Sequence, residues 1–262
     1  MLTPDQLQAA SDLLFRRWEQ GESLPCLPEH LRPRSRAEGY AIQALLEQRS
    51  RHRLFGWKIA ATSNAGQRHI NVDGPLAGRL LAERARESGA DLEIGANRML
   101  VAEAEFAFRM EESLLPREAP YSMAEVMAAV GALHPAIEVP DSRYTDFTVV
   151  GADQLIADNA CAHFFVLGPA TEADWRSLDL AAHRVHGVCG GVEAEGVGAN
   201  VLGDPRIALT WLANELSRIG VGLLAGQVAT TGTCWTPMHI GPGAAASAEF
   251  GELGAVAVRF RP

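Results

Sequence analysis

The chain has 262 residues, 47% of them hydrophobic, which is enough apolar content for one sizeable core or a core with a helical appendage. Its formal net charge is -9, with no basic run, and this excludes nucleic acid as a partner because phosphate binding needs clustered Lys and Arg. Cys26, Cys161, Cys189 and Cys234 are widely spaced and form no CxxC pair, so neither a zinc knuckle nor a disulfide framework is predicted and reduced thiols in a cytosolic protein are expected.

The opening stretch, MLTPDQLQAASDLLFRRWEQ, lacks the basic start and apolar core of a signal peptide, and no apolar run is long enough to span a membrane. Within it, Thr3, Pro4 and Asp5 read as the N-cap, first position and first-turn acid of a helix. Leu7, Ala10, Leu14 and Trp18 then recur at helical spacing. A second helix is predicted over SRAEGYAIQALLEQRS, where Ser35 and Glu38 match a capping box. Residues 1–54 are therefore expected to form a helical N-terminal region, and residues 55–262 a strand-rich domain.

From Gly56 the texture changes to short strands and glycine turns. GWKIAATS reads as a largely buried strand. Ser122 and Glu125 form another capping-box pattern, predicting a helix through Val126, Val130 and Leu133. Asp204 and Pro205 begin a further helix with Ile207, Trp211, Leu212, Leu216 and Ile219 on its inner side and Gly220 at its end. AVAVRF alternates, turning Val256, Val258 and Phe260 inward. With no βαβ regularity, no GxGxxG and no P-loop, the pattern predicts an α+β fold rather than a nucleotide-binding sheet.

Of the 23 basic residues, only Lys58 is a lysine. A compact ammonium among Trp57, Ile59, Ala60 and Ala61 suits proton transfer or point-charge binding of a carboxylate, or it snorkels to the surface past those apolar neighbours. In VAEAEFAFRM, a strand puts Ala102, Ala104, Phe106, Phe108 and Met110 on one face and Glu103, Glu105 and Arg109 on the other. Adjacent same-face carboxylates repel unless that face is solvated or a cation lies between them. A third acid, Glu138, stands among Pro135, Ala136, Ile137 and Val139, where burial is costly unless it is paired or bound to metal. Three such carboxylates make a hard oxygen site suited to Mg2+ or Mn2+; Arg109 and Arg143 are the alternative partners of Glu138. His183 and His186 stand three apart but have no third ligand in view, and a solvated strand edge accounts for them.

In order and approximate spacing, GWKIAATS, EAEFAF, PAIEVPDSRY, IADNACAHFFVLG and VLGDPRIALTWLANELSRIGVGLLAGQVATTG resemble the 2-keto-4-pentenoate hydratase and 4-oxalocrotonate decarboxylase branch of the fumarylacetoacetate hydrolase superfamily. The resemblance extends over nearly the whole chain, including Tyr40 to Gln43. It implies a mixed β-roll after a small helical region, with Mg2+ or Mn2+ held by Glu103, Glu105 and Glu138. The metal would chelate the carboxylate and 2-oxo or enol oxygen of a short unsaturated acid and stabilise the enolate. Lys58 and Asp158 would be catalytic, and Ser63, Asn159 and Cys161 would meet the substrate. His69 and His163 lie near the matched motifs and are candidates to line the pocket.

Two departures bear on this. Where many family hydratases carry an aspartate after the proline of a PDYG-like turn, VDGPLAGRL has Leu76, which looks closer to the decarboxylases; Asp73 is the nearby substitute acid. IGPGAAASAEF replaces a frequent Gly-Asp and is expected to alter a turn only. Cys161 stands where relatives often have serine and otherwise reads as a small buried thiol. The expectation is a cytoplasmic, homo-oligomeric lyase hydrating a 2-hydroxy-2,4-dienoate from aromatic-compound breakdown. The alternatives are a 2-oxo-3-enedioate decarboxylase or a metal-binding partner without turnover.

Overall fold

The computed structural model describes residues 1–262. Helix α1 (Pro4–Gln20) opens on Thr3, whose hydroxyl accepts from the Gln6 amide while the Gln6 side chain accepts from Thr3 N–H. These reciprocal bonds satisfy two amides that the helix itself cannot. Helix α2 (Arg36–Ala44) starts on Ser35 as predicted, but Glu38 turns away to accept from Leu2 and Arg34 N–H, so the box is not closed. It also ends well before Ser50, giving way to a short 3-10 turn at Glu47–Arg49. Strands begin at β1 (Gly56–Ala60), followed by α3 (Asn64–His69), β2 (Leu76–Leu80), β3 (Ala85–Glu87), β4 (Ala90–Glu93) and the long β5 (Val101–Met110).

Helix α4 (Met123–Ala128) has the full Ser122–Glu125 capping box, yet Val130 and Leu133 belong to strand β6 (Val130–Val139) rather than to the helix. Next come α5 (Ala152–Ala157), β7 (Phe164–Leu167), β8 (Arg184–Cys189) and β9 (Val192–Val197). Helix α6 (Pro205–Arg218) is capped by Asp204 and followed by Gly220 at φ 75°. Leu212 and Leu216 are buried in it, but Ile207 is exposed, contrary to the sequence pattern. The chain closes with β10 (Val228–Thr233), β11 (Met238–His239), β12 (Ala245–Glu249) and β13 (Ala255–Arg261).

The strands form two mixed sheets. An eight-stranded sheet runs β2-β1-β10-β5-β6-β7-β3 with β11 attached to β5, and a five-stranded sheet runs β4-β13-β12-β8-β9. Pairs β1/β10, β3/β7 and β4/β13 are parallel, the others antiparallel. The apolar face of β5 packs toward the second sheet: Phe106 meets Phe250 edge-on at 5.0 Å, within a cluster that also holds Val256, Val258 and Phe260. This α+β β-roll thus commits one face of β5 to the core and leaves the other for chemistry. The N-terminal helices share a smaller core with Tyr144 and Ala157, placing α1 and α2 against the segment after β6 and against α5. No helix is long and apolar enough to cross a membrane.

Candidate metal centre and its cavity

The register of β5 on β6 sets Glu103 directly opposite Glu138, with Glu105 one pleat further along, opposite Ala136. Carboxylate oxygens of all three lie within 4.8 Å of one another. Glu105 is held by two donors from β10: the Thr230 hydroxyl and the Gly232 amide, the latter at 2.8 Å. A shift in the β10 register between Thr230 and Thr233, with Gly232 at φ 97°, aims that amide. A Cβ at Gly232 would lie 2.1 Å from the Thr62 hydroxyl, so only glycine fits.

Lys58 faces this cluster from β1, between Thr230 of β10 and Gly78 of β2. It is 3% exposed; its ammonium donates to the Ala160 carbonyl at 3.0 Å and lies 3.0 Å from Glu138 Oε1. The cation beside Glu138 is therefore Lys58, not Arg109 or Arg143. Burial pushes all three carboxyls above the usual glutamate range, and the charge of Glu138 adds to the rise at Glu103 and Glu105; Glu103 reaches about 7. Burial alone would lower Lys58, but Glu138, Glu103 and Glu105 outweigh it and hold the ammonium above the ordinary lysine value.

Glu105 Oε1 and Glu138 Oε2 are buried without any partner, and Glu138 Oε1 has only the Lys58 ammonium beside it. Unpaired buried carboxylate oxygens are costly, and one lysine does not neutralise three acids. A divalent cation resolves both deficits, and an all-oxygen donor set suits Mg2+ or Mn2+. The residues present fit the metal.

The centre opens on a cavity of about 1060 Å³ lined by Lys58 and Glu103, with Ile70, Met99, Val101, Phe147, Leu155 and Trp235 among its apolar walls. Ser63 lines it too, while its hydroxyl caps α3 by accepting from Gly66 N–H. Cys161 lines it as a thiol pushed up to about 12 by burial, which makes it inert. His69 contributes to the lining; His163 does not, its Nδ1 accepting instead from Trp18 at 2.7 Å. Leu76 forms part of the wall. His183 contacts the Phe250 carbonyl and His186 faces solvent on β8, so neither joins a metal site.

Three predicted site residues are elsewhere. Asp73 has an 85% exposed side chain captured by Arg36 of α2, outside the cavity, so it does not replace the missing acid. Asp158 is fully buried beneath the wall, ion-paired to Arg143 and bonded to the Ser142 hydroxyl. Asn159 uses its amide to bridge both backbone groups of Arg79. Sequence reasoning missed Thr230, Gly232 and the Ala160 carbonyl, and it offered Arg143 to Glu138 rather than to Asp158. Only the TTG run hinted at the first two, and a backbone carbonyl leaves no mark in a sequence.

A carboxylate metal centre set between strands of such a roll defines an enzyme of the fumarylacetoacetate hydrolase-like superfamily. No family model matches the chain. It is 33% identical over 225 residues to the 2-keto-4-pentenoate hydratase of Burkholderia vietnamiensis, covering 84% of each chain. It is 29% identical to that of Paraburkholderia xenovorans, over 99% of this chain and 96% of the relative. A 2-hydroxyhexa-2,4-dienoate hydratase of Comamonas testosteroni is 35% identical over 72% of this chain and 71% of its own length. Among solved structures, the 4-oxalocrotonate decarboxylase of Pseudomonas putida G7, complexed with magnesium and adipate, superposes with a TM-score of 0.90 at 25% identity over 99% of both chains. The chain belongs to the 2-keto-4-pentenoate hydratase family of lyases.

Proposed function

We propose that this protein is a metal-dependent hydratase converting a 2-hydroxy-2,4-dienoate, with one water, into a 4-hydroxy-2-oxo acid. The observation that carries the reading is the clustering of Lys58, Glu103, Glu105 and Glu138, with Lys58 and Glu103 at the wall of one cavity. Held by the three glutamates, Mg2+ or Mn2+ supplies Lewis-acid stabilisation of the negative charge that develops on the substrate's 2-oxygen. Lys58 is fixed on one side by Glu138 and Ala160 and also borders the cavity, so its ammonium faces the space where the acid's carboxylate binds. The proton on O2 of the dienol is lost as C5 gains one; water then delivers hydroxyl to C4 and a proton to C3. Ile70, Phe147 and Leu155 surround the hydrocarbon end and keep bulk water from it. Ser63, Asn200 and Thr233 supply neutral polar groups that can orient the attacking water.

One observation favours a second reading, decarboxylation of a 2-oxo-3-enedioate. Leu76 is buried in the cavity wall and Asp73 lies outside it, so no carboxylate besides Glu103 borders the space. The test is the ultraviolet decay of freshly made 2-hydroxypenta-2,4-dienoate with Mg2+ and with EDTA. Metal-dependent loss of the dienol with gain of one water in the product supports hydration. No turnover there, with carbon dioxide released from a 2-oxo-3-enedioate, replaces hydration with the second reading. We read the enzyme as a cytoplasmic homo-oligomer, which sedimentation of the purified protein tests.

A further inference from the structure

Asn159, Ala160 and Cys161 are three consecutive non-glycine residues in the left-handed region, with φ of 57°, 50° and 62°. L-residues avoid this conformation, and a run of three persists only where surrounding bonds over-determine it. Here they do. The Asn159 side chain accepts from Arg79 N–H at 2.6 Å and donates to Arg79 O at 2.8 Å, stitching the turn to β2. Asp141 N–H donates to the Cys161 carbonyl at 2.9 Å. The Arg143 guanidinium donates to the carboxylate and carbonyl of Asp158, to the Ala162 carbonyl at 3.2 Å and to the Asp141 carbonyl at 3.0 Å. Its other face rests 4.7 Å from the Trp18 ring of α1.

The product of this bracing is a fixed, buried acceptor: the Ala160 carbonyl, 3.0 Å from the Lys58 ammonium. Arg143 also belongs to the segment that leaves β6, the strand whose Glu138 approaches the same ammonium at 3.0 Å. The clamp thus fixes the Ala160 partner of Lys58 directly and adjoins the strand that carries the other. Neither Asn159 nor Arg143 borders the cavity, so they reach substrate only through what they hold in place: the Lys58 ammonium and the lining residues Ala160 and Cys161.

We propose that Asn159 and Arg143 are positioning residues, holding the left-handed turn so that Ala160 and Glu138 trap the Lys58 ammonium in one orientation toward the cavity. This rests on reading Lys58 as the group that meets substrate. Because Lys58 is the only lysine, protein labelled with 15Nζ-lysine gives one side-chain ammonium signal, and its exchange with water can be followed in the Mg2+-loaded enzyme without any reaction. Asn159→Ala and Arg143→Gln, neither of which adds a lysine, are expected to speed that exchange at least about tenfold and to lower kcat on the dienoate at least about tenfold. KM should rise as well, because Lys58 meets the substrate's carboxylate, while the Mg2+ dissociation constant stays within about threefold of wild type. Ser142→Ala removes one bond to Asp158 and keeps the rest of the clamp, giving a milder change of the same sign should the first two fail to fold. Ammonium exchange that is unchanged in folded variants overturns the proposal, whatever the enzyme turns over. Exchange that responds while wild type leaves the dienoate untouched upholds the clamp and moves the failure to the reaction.

Discussion

Glu105 takes its orientation from the Gly232 amide and from the Thr230 hydroxyl, and Thr230 does not border the cavity, which makes it a lever on the metal. Thr230→Val replaces a buried hydroxyl by a methyl of similar size, leaving Oε2 with the Gly232 amide alone. Loss of such a supporting bond is expected to weaken Mg2+ or Mn2+ binding by about 10-fold to 100-fold. Calorimetric titration reads it directly, and an unchanged affinity would show that the Gly232 amide suffices. Gly78 is a second lever. A Cβ there would meet the Asn159 carbonyl at 2.5 Å and the Lys58 stem at 3.1 Å, so Gly78→Ala is expected to cost about 1–3 kcal/mol by overpacking. The flexible stem is the part able to give way, so turnover should fall with stability. Gly241→Ala, where a Cβ meets nothing within 4 Å, is the matched control and should leave both unchanged. Lys58 and the three glutamates were legible in the sequence because alternation and burial cost are local properties. Asp73 was not, because its captor Arg36 comes from 37 residues earlier. Asp158 and Asn159 were visible as unusual, but their partners Arg143 and Arg79 are tertiary neighbours, so local sequence could not separate a substrate contact from a brace.

At the scale of elements, starts were easier to read than ends. The Thr3, Ser35, Ser122 and Asp204 caps all form, since a cap needs only residues within one turn. The stop of α4 was hidden because Val130 and Leu133 continue its spacing; they become strand because β6 pairs with β5 along most of its length. The attachment of α1 to the sheet was likewise not legible, and it carries a pH dependence. His163, just before β7, accepts from Trp18 of α1 and is pushed down to about 3 by burial, with Arg84 and Arg143 adding to the effect. The unfolded chain takes up a proton near the ordinary histidine value, about 6.5, where the folded chain refuses it. Stability from this group is therefore complete above that value and is lost as pH falls toward about 3. His163→Gln keeps an acceptor for Trp18 and does not titrate, so its melting temperature should fall less steeply than wild type between about pH 7 and pH 4.5. Parallel curves would mean that other groups govern acid unfolding.

For the whole molecule, the metal centre and the fold are one equilibrium. Three carboxylates and a lysine are held by β1, β5, β6 and β10 of the same sheet, so a cation that binds them binds only the folded chain. At a hundredfold excess over its dissociation constant it should stabilise by about 2.7 kcal/mol, and chelation should lower the melting temperature by roughly 5 °C or more for a chain of this size. The size of that gain depends on pH. Without metal, Glu103, Glu105 and Glu138 are raised by burial, and the charge of Glu138 adds to the rise at Glu103 and Glu105, so the folded chain keeps protons that the unfolded chain releases. Metal-free stability should therefore decline as pH climbs from the ordinary glutamate value, about 4.3, through the value of about 7 reached by Glu103. A cation displaces those protons and takes over their role in neutralising the acids. The rise in melting temperature produced by Mg2+ should then be larger at about pH 8 than at about pH 5.5, and Mg2+ added to weakly buffered protein near neutrality should release protons. Equal gains at both values would mean that Lys58 alone neutralises the cluster in the metal-free chain, and that the unpaired oxygens of Glu105 and Glu138 exert little electrostatic pull on a cation.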